Sequence, residues 1–363
     1  MLIKLFLQHL RNHTETECVI DSPYTVISGL NGAGKTSILE AIHILSLGRS
    51  FRTTTDKKLL QFAQPFWAVS GNMGAKISPE TVRVAYSEAD GKKLWLSQNP
   101  IGRLSQFIGH YPVITLLPNK TEVIIGPASE RRTFLDSFLC QQQTDYLEYL
   151  TRYQIALKQR NSLLHNPQTT NDLLSAWEEQ MAVNGQQLIL YRKQLLQAIV
   201  PYFQEYFNRF EYNLSLKLNY SQSQLLDSYV DLRKVWEKYR QKDFQLGYTS
   251  VGPHRDDIEI TVENRPLKEV GSQGQIHSAS IALYFSLIAY QRTTKQLSLW
   301  LLLDDIFDKL DPLRTQILAQ QLLQFEQTQV FITDSQIERC QAIANQIKAS
   351  LWLVKNGQVQ TLY

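Results

Sequence analysis

Eight residues near the start, Gly29-Leu-Asn-Gly-Ala-Gly34-Lys35-Thr36, spell the full G-x-x-x-x-G-K-[ST] pattern of a phosphate-binding loop. Gly29, Gly32 and Gly34 let the backbone wrap around an anion with its amide hydrogens aimed inward, and Asn31 and Ala33 fill the turns between them. A helix beginning near Gly34 and running on through Ser37 adds its positive end to the same anion. Lys35 is expected to pair with β- and γ-phosphates, and the Thr36 hydroxyl to hold Mg²⁺. The chemistry indicated is the binding of a nucleoside triphosphate.

A second half-site lies far downstream. The run Leu301-Leu-Leu ends on Asp304-Asp305, which places Asp304 at the rim of a sheet as a water-mediated Mg²⁺ ligand. Asp305 is the candidate general base or water-orienting group, the alternative being a cap on the next segment. An aspartate reaches less far than a glutamate, so slow hydrolysis is expected. Ser272-Gln273-Gly274-Gln275 opens a helix, and Ser272 is a good N-cap. The same hydroxyl and free amides could receive the γ-phosphate of a nucleotide held by another subunit. The phosphate loop upstream and the Asp-Asp strand end downstream favour that second reading. Together the two half-sites read as an ATP-gated homodimer.

These groups need a scaffold. Leu2 to Leu7 and Cys18 to Ile20 suggest a hairpin, and Tyr24 to Ser28 a buried strand leading into the loop. Ile38, Leu39, Ile42 and Leu45 recur at helical spacing over Gly34 to Leu47. Phe66 to Met73, Thr81 to Tyr86 and Lys93 to Leu96 continue as strands, with Ala89-Asp90-Gly91 a hairpin turn. Near Pro118 the pattern turns helical. Leu173, Trp177, Met181, Leu188, Tyr191, Leu195, Ile199 and Phe203 form the stripe of a long amphipathic helix. Asn166-Pro167 ends the helix before it. After Gly247 strands and helices alternate again: Asp257 to Val262, Ser272 to Arg292 as a buried helix, then Leu299 to Asp304, Val330 to Thr333 and Leu351 to Val354. The expected fold is α/β, a mainly parallel core sheet in two halves, residues 1–117 and 247–363, flanking an inserted helical lobe, 118–246.

Composition excludes several classes. In 363 residues the hydrophobic fraction is 43% and the charged fraction 20%, ordinary for globular protein. Cys18, Cys140 and Cys340 are too scattered for a disulfide framework or a zinc site. The longest apolar stretch, Leu297 to Leu303, is strand-sized, so no membrane span is expected and the protein reads as soluble and cytoplasmic. A net charge of +3 allows nucleic acid without requiring it.

This arrangement resembles the ABC-type heads of SMC-like repair proteins, and most closely the bacterial RecF family. The landmarks are Leu10-Arg11-Asn12, Gly48-Arg-Ser-Phe-Arg52, Arg131-Arg132-x-Phe134-Leu135-Asp136, Leu157-Lys-Gln-Arg-Asn161, Gly252-Pro-His-Arg-Asp-Asp257 and Leu302-Leu-Asp-Asp-Ile-Phe-Asp-Lys-Leu-Asp311, in family order along essentially the whole chain. The resemblance implies an ATP-dependent protein of recombinational repair and replication that binds double-stranded DNA and its junctions with single-stranded gaps. It implies slow DNA-stimulated hydrolysis, and partnership with RecR and RecO in loading RecA. By motif, Lys35, Thr36 and Asp304 bind nucleotide and metal, Asp305 supports hydrolysis, and Ser272, Gln273 and Gly274 act in trans. Lys309-Leu310-Asp311-Pro312 takes the place of a loop touching the opposing subunit, and Arg11 and Asn12 lie near the nucleotide.

Three positions depart from the family pattern. Gly271 stands where the signature usually begins with leucine, and His277 where it carries a basic residue. Leu117-Pro118-Asn119-Lys120 lacks the usual acidic pair, leaving Asn119 as the candidate metal contact there. Thr333-Asp334 occupies the place of the switch residue. Lys57-Lys58, Lys92-Lys93, Arg131-Arg132, Arg192-Lys193 and the cluster from Arg233 to Lys242 are candidates for DNA phosphate contact, each weighed against an ordinary solvated face. No base-reading motif is evident, so binding should depend strongly on salt and weakly on sequence. The rival readings are a nucleotide-gated scaffold with incidental hydrolysis, and a transporter ATPase subunit, which the long helical lobe disfavours.

Overall fold

The computed structural model describes residues 1–74, 79–119, 121–166, 168–211, 214–223, 229–294, 298–307, 310–325 and 327–363. Pro167, Lys120, Leu297, Asp308 and Lys309, which carry parts of the expectations above, lie outside the described residues. The chain opens with β1 (Leu2–Leu10), β2 (His13–Val19) and β3 (Tyr24–Ser28), then α1 (Lys35–Leu47). Strands β4 (Phe66–Met73), β5 (Glu80–Ser87), β6 (Gly91–Leu96), β7 (Asn99–Pro100) and β8 (Val113–Leu116) follow. The helical stretch comprises α2 (Glu122–Ile125), α3 (Ala128–Gln142), α4 (Thr144–Leu164) and α5 (Asn171–Phe210). Next come β9 (Leu216–Ser221), α6 (Tyr229–Leu246), β10 (Asp257–Val262), β11 (Arg265–Pro266), α7 (Leu267–Val270) and α8 (Gln273–Thr294). The chain ends with β12 (Leu299–Asp304), α9 (Pro312–Leu322), β13 (Thr328–Asp334), α10 (Ile337–Ile347), β14 (Ser350–Lys355) and β15 (Gln358–Thr361).

Two compact units result: residues 1–119 with 291–363, and residues 120–290. The first holds two six-stranded sheets. One is antiparallel, in the order β2-β1-β4-β5-β6-β7; the other runs β15-β14-β3-β13-β12-β8. In the second sheet β14, β3, β13, β12 and β8 are parallel, with only β15 antiparallel at the edge. Strands β12 and β13 are buried at every position, as expected of a sheet covered on both faces. Helix α1 touches strands of both sheets and buries every residue except Thr36. That explains why its apolar residues run all around the helix rather than along the single stripe expected of a surface helix.

The second unit is built on α4 and α5, paired lengthwise, with α6 against α5. Of the stripe expected along α5, Met181, Leu188, Leu195, Ile199 and Phe203 are buried and Tyr191 is partly exposed, while its start is displaced: Leu174 is buried and Leu173 half exposed. Buried charge braces this unit. Arg160 donates to Glu178 (3.0 Å), Asp243 (2.8 Å) and Thr249 (2.8 Å), while Asn161 accepts from Thr249 N and Oγ1.

The core was expected to resume at residue 247; instead residues 247–290 pack within the second unit. β10 is the reason. It is a strand as expected, but it pairs antiparallel with β9 and β11 in a separate three-stranded sheet. Its alternating burial gives it one covered and one open face, unlike a strand of the parallel sheet.

Candidate nucleotide-binding site

β3 delivers the chain at Ser28 into a loop whose φ angles are +82° at Gly32 and +116° at Gly34, open to glycine and costly for other residues. The loop closes through Ala33 N to Leu30 O (3.1 Å), and α1 starts with Ser37 N and Ile38 N donating to Gly34 O. Lys35 is almost buried, its ammonium donating to Gly29 O (2.8 Å) and Leu30 O (3.3 Å). Thr36 Oγ1 donates to Asp304 Oδ1 at 2.9 Å across 268 residues of sequence. Asp304 ends β12, two strands from β3, and Thr333 on the intervening β13 donates to the same carboxylate oxygen at 2.7 Å. The phosphate loop and the acidic strand end thus lie side by side within the first unit.

Asp305 leaves the strand with φ +46°, and its amide donates to Thr333 O (3.2 Å) and Thr333 Oγ1 (3.1 Å). The Thr333-Asp334 pair divides. Thr333 touches Asp304, whereas Asp334 is buried and held by Arg339 Nε (2.6 Å) and Nη2 (2.9 Å). Arg11 and Asn12 also divide. Asn12 Nδ2 donates to Gly32 O (3.0 Å), and its Oδ1 accepts from Ser37 Oγ (3.4 Å), so Asn12 belongs to the loop. The Arg11 guanidinium is bound bidentately by the buried Glu40 of α1 (3.0 and 2.9 Å), which also accepts from Ser50. Its charge is thus committed to the helix. Asn119 is exposed in the turn after β8.

Sequence reasoning missed the hairpin that buttresses the loop. Gly357, between β14 and β15, donates its amide to Ala33 O (3.0 Å). A Cβ on Gly29 would lie 2.5 Å from Val354 O, and one on Gly357 would lie 2.3 Å from Asn12 O. His13, fully buried, joins these pieces: its Nε2 meets Gly34 O (3.1 Å), and its Nδ1 meets Gly357 O (2.9 Å) and Thr16 Oγ1 (2.9 Å). Burial lowers its pKa, while hydrogen bonds to the Gly34 and Gly357 carbonyls pull the other way. The signal was present: Asn356-Gly357, with φ +49° and +76°, is a standard two-residue hairpin dipeptide. Nothing local in it says that the turn rests on a phosphate loop.

The Ser272 segment lies in the second unit. Ser272 and Gln275 form a reciprocal cap, Gln275 N donating to Ser272 Oγ (3.2 Å) and Ser272 N to Gln275 Oε1 (2.9 Å). Ser272 and Gln273 are exposed, Gly274 half-buried and His277 buried. A Cβ on Gly271 would come within 2.7 Å of Leu267 O, so the leucine usual at that position would collide with α7.

Several candidate DNA-contacting cations prove to be internal. Arg131 is buried against Asp257 (2.6 and 3.0 Å), and Arg192 against Asp136 (2.9 and 2.8 Å). Lys57, Lys92 and Lys93 pair with Glu88, Asp56 and Asp90; Arg233 pairs with Glu179 and Arg240 with Glu178. Lys58, Lys234 and Lys238 are exposed, with no carboxylate partner among the described residues. The described residues hold no cluster of three metal-binding side chains, and no helix is long and apolar enough to cross a membrane.

Comparison with known proteins agrees along the full length. A family model described as "AAA domain" matches residues 4–351. The DNA replication and repair protein RecF of Parabacteroides distasonis is 33% identical over 365 residues, covering 100% of this chain and 99% of that protein. A solved structure of the recombination mediator protein RecF with ATPrS superimposes with a TM-score of 0.88 at 26% identity, covering 100% of this chain and 98% of the other. An Smc head bound to a winged-helix domain of ScpA reaches a TM-score of 0.60 at 16% identity, covering 99% and 96%, a likeness of fold. With its phosphate loop against the Asp304 strand end and an SMC-like head architecture, this chain belongs to the RecF family.

Proposed function

We propose that the chain is a nucleotide-switched DNA-binding head of recombinational repair, an ATPase that acts as a switch rather than as a metabolic enzyme. The observation that carries this reading is the Thr36–Asp304 contact, with Lys35 beside it. In this reading Gly29 to Ser37 wrap the phosphates, with Asn12 holding the loop's shape from behind. Lys35 would exchange its two carbonyl partners for phosphate oxygens. Thr36 and Asp304 offer a hydroxyl and a carboxylate 2.9 Å apart, hard oxygen donors suited to Mg²⁺, with Asn119 as a further candidate. When bound, the ion neutralises phosphate charge. Asp305 would orient or deprotonate the attacking water, and Thr333 steadies both aspartates.

Ser272, Gln273 and Gly274 would complete the site of a second copy, making an ATP-dependent homodimer. The proposed ligands are duplex and gapped DNA without sequence preference, held through phosphates. The proposed partners are RecR- and RecO-like mediators, with RecA loaded as the outcome and hydrolysis slow and DNA-stimulated. Retention of gapped duplex with and without ATP-Mg²⁺ tests the reading. The expected result is at least tenfold tighter binding with ATP, abolished by Lys35→Met. Equal binding by both proteins under all conditions would refute it.

A further inference from the structure

Two motifs have no part in the nucleotide site: Arg131-Arg132-x-Phe134-Leu135-Asp136 on α3, and Gly252 to Asp257 ahead of β10. Within the second unit they meet at one cavity of about 230 Å³, lined by Ser129, Arg132, Thr133, Asp136, Arg192 and His254 among others. The four α3 residues fall at i, i+3, i+4 and i+7, one face of the helix.

Most of the polar lining is already satisfied. Both oxygens of Asp136 accept from Arg192, and Tyr146 OH adds a third bond at 2.5 Å. Arg192 Nη1 donates to Pro253 O at 2.7 Å. The His254 ring is fixed by Tyr153 OH (2.7 Å) and Thr249 O (3.0 Å), and burial pushes its pKa down to about 4, so it is neutral.

Arg132 differs. Its Nη1 donates to Asp256 O (2.6 Å), but its Nε and Nη2 have no acceptor, and no carboxylate pairs with it, among the described residues. The nearby acids are engaged elsewhere: Asp256 accepts from Tyr220 OH (2.7 Å) and Ser223 N (2.8 Å), and Asp257 from Arg131. Burial and the Arg192 charge both work against its charged form, which the surrounding acids favour only at a distance. With two guanidiniums, one carboxylate and a neutral histidine, the lining carries one surplus positive charge. A half-buried cation with open donors calls for an anion.

We propose that this cavity binds a single phosphoryl group, with Arg132 as the principal ligand and the Ser129 and Thr133 hydroxyls as secondary donors. A phosphoryl group suits the planar fork of an arginine, which can donate to two of its oxygens at once. The volume is below the roughly 300 Å³ at which pockets enclose a drug-sized ligand, so it suits a phosphoryl group with a few waters rather than a whole nucleotide. The phosphoryl group is either free phosphate or part of a nucleic-acid strand. The inference does not rest on the nucleotide reading, because no residue of the phosphate loop takes part.

Equilibrium dialysis of radiolabelled inorganic phosphate against full-length Lys35→Met protein tests it, with the phosphate loop disabled as a competing site. One phosphate per chain is expected, with affinity at least tenfold weaker when Arg132→Met is added. Arg132→Lys, keeping charge but not the fork, should recover part of the loss. Thr133→Val, a milder exposed change, should weaken binding with circular dichroism unchanged, should Arg132→Met disturb folding. Phosphate bound equally with and without Arg132, or no binding at millimolar phosphate to the Lys35→Met protein, overturns the proposal. Competition by a 5′-phosphorylated duplex but not its 5′-hydroxyl counterpart would identify a strand end as the source. Displacement by neither would identify free phosphate.

Discussion

In the proposed function Lys35 holds the nucleotide and Asp305 turns it over. Lys35 is buried within the loop, with Gly29 and Leu30 carbonyls as partners; Asp305 is anchored through its backbone to Thr333 at the end of β12. Lys35→Met should therefore weaken nucleotide binding at least tenfold, about 1.4 kcal/mol or more. Asp305→Asn should keep that affinity and lose most phosphate release. Fluorescent-nucleotide titration beside a phosphate-release assay checks both, and parallel losses in the two variants would contradict the division. Protonation acts at the same scale. Burial pushes His43 of α1 down to about 4, against the opposing hydrogen bond to Arg49 O. Between pH 6.5 and 4 the unfolded chain binds a proton that the folded chain does not. Stability is thus fullest above pH 6.5 and falls as pH drops towards 4. His43→Gln should flatten that decline by on the order of 2 kcal/mol. Thermal melting at pH 7 and pH 5 measures it, and an unchanged slope would count against a buried neutral histidine.

Elements rather than residues decide how the phosphate loop keeps its shape. The β14–β15 turn reaches Ala33 through Gly357 N, and Asn12 closes the other side at Gly32. Gly357→Ala faces both φ +76° and a 2.3 Å approach to Asn12 O, so it should destabilise the first unit by about 1–3 kcal/mol and weaken nucleotide binding with it. Calorimetric melting and nucleotide titration check this together, and normal affinity in the folded variant would remove the hairpin from the site. The strand from Leu299 to Asp304 was legible as an apolar run because burial on both faces demands one, and Tyr24 to Ser28 as a buried strand leading into the loop. The loop was legible because its glycines and its Lys-Thr ending have few other uses. The hairpin buttress was not, because Asn356-Gly357 encodes a turn and says nothing of what the turn touches. β10 misled for a similar reason: Asp257 to Val262 fixes a strand, while its partners lie in β9 and β11. Arg131 and Arg192 looked like surface cations, since sequence does not show that Asp257 and Asp136 would meet them in the interior.

At the scale of the whole molecule the two half-sites fall in different compact units, the phosphate loop and Asp304 in one and the Ser272 cap in the other. Ser272 already has a structural occupation, the reciprocal cap with Gln275, yet it is exposed. In the proposed dimer this exposed helix N-terminus would receive the nucleotide presented by another chain. Sedimentation velocity with and without ATP-Mg²⁺, on the native chain and Ser272→Arg, tests the nucleotide-gated dimer most directly. The account predicts a monomer without nucleotide, a dimer with it, and a monomer throughout for a folded Ser272→Arg. A native chain that stays monomeric with ATP bound, or a variant that dimerises equally well, would contradict it.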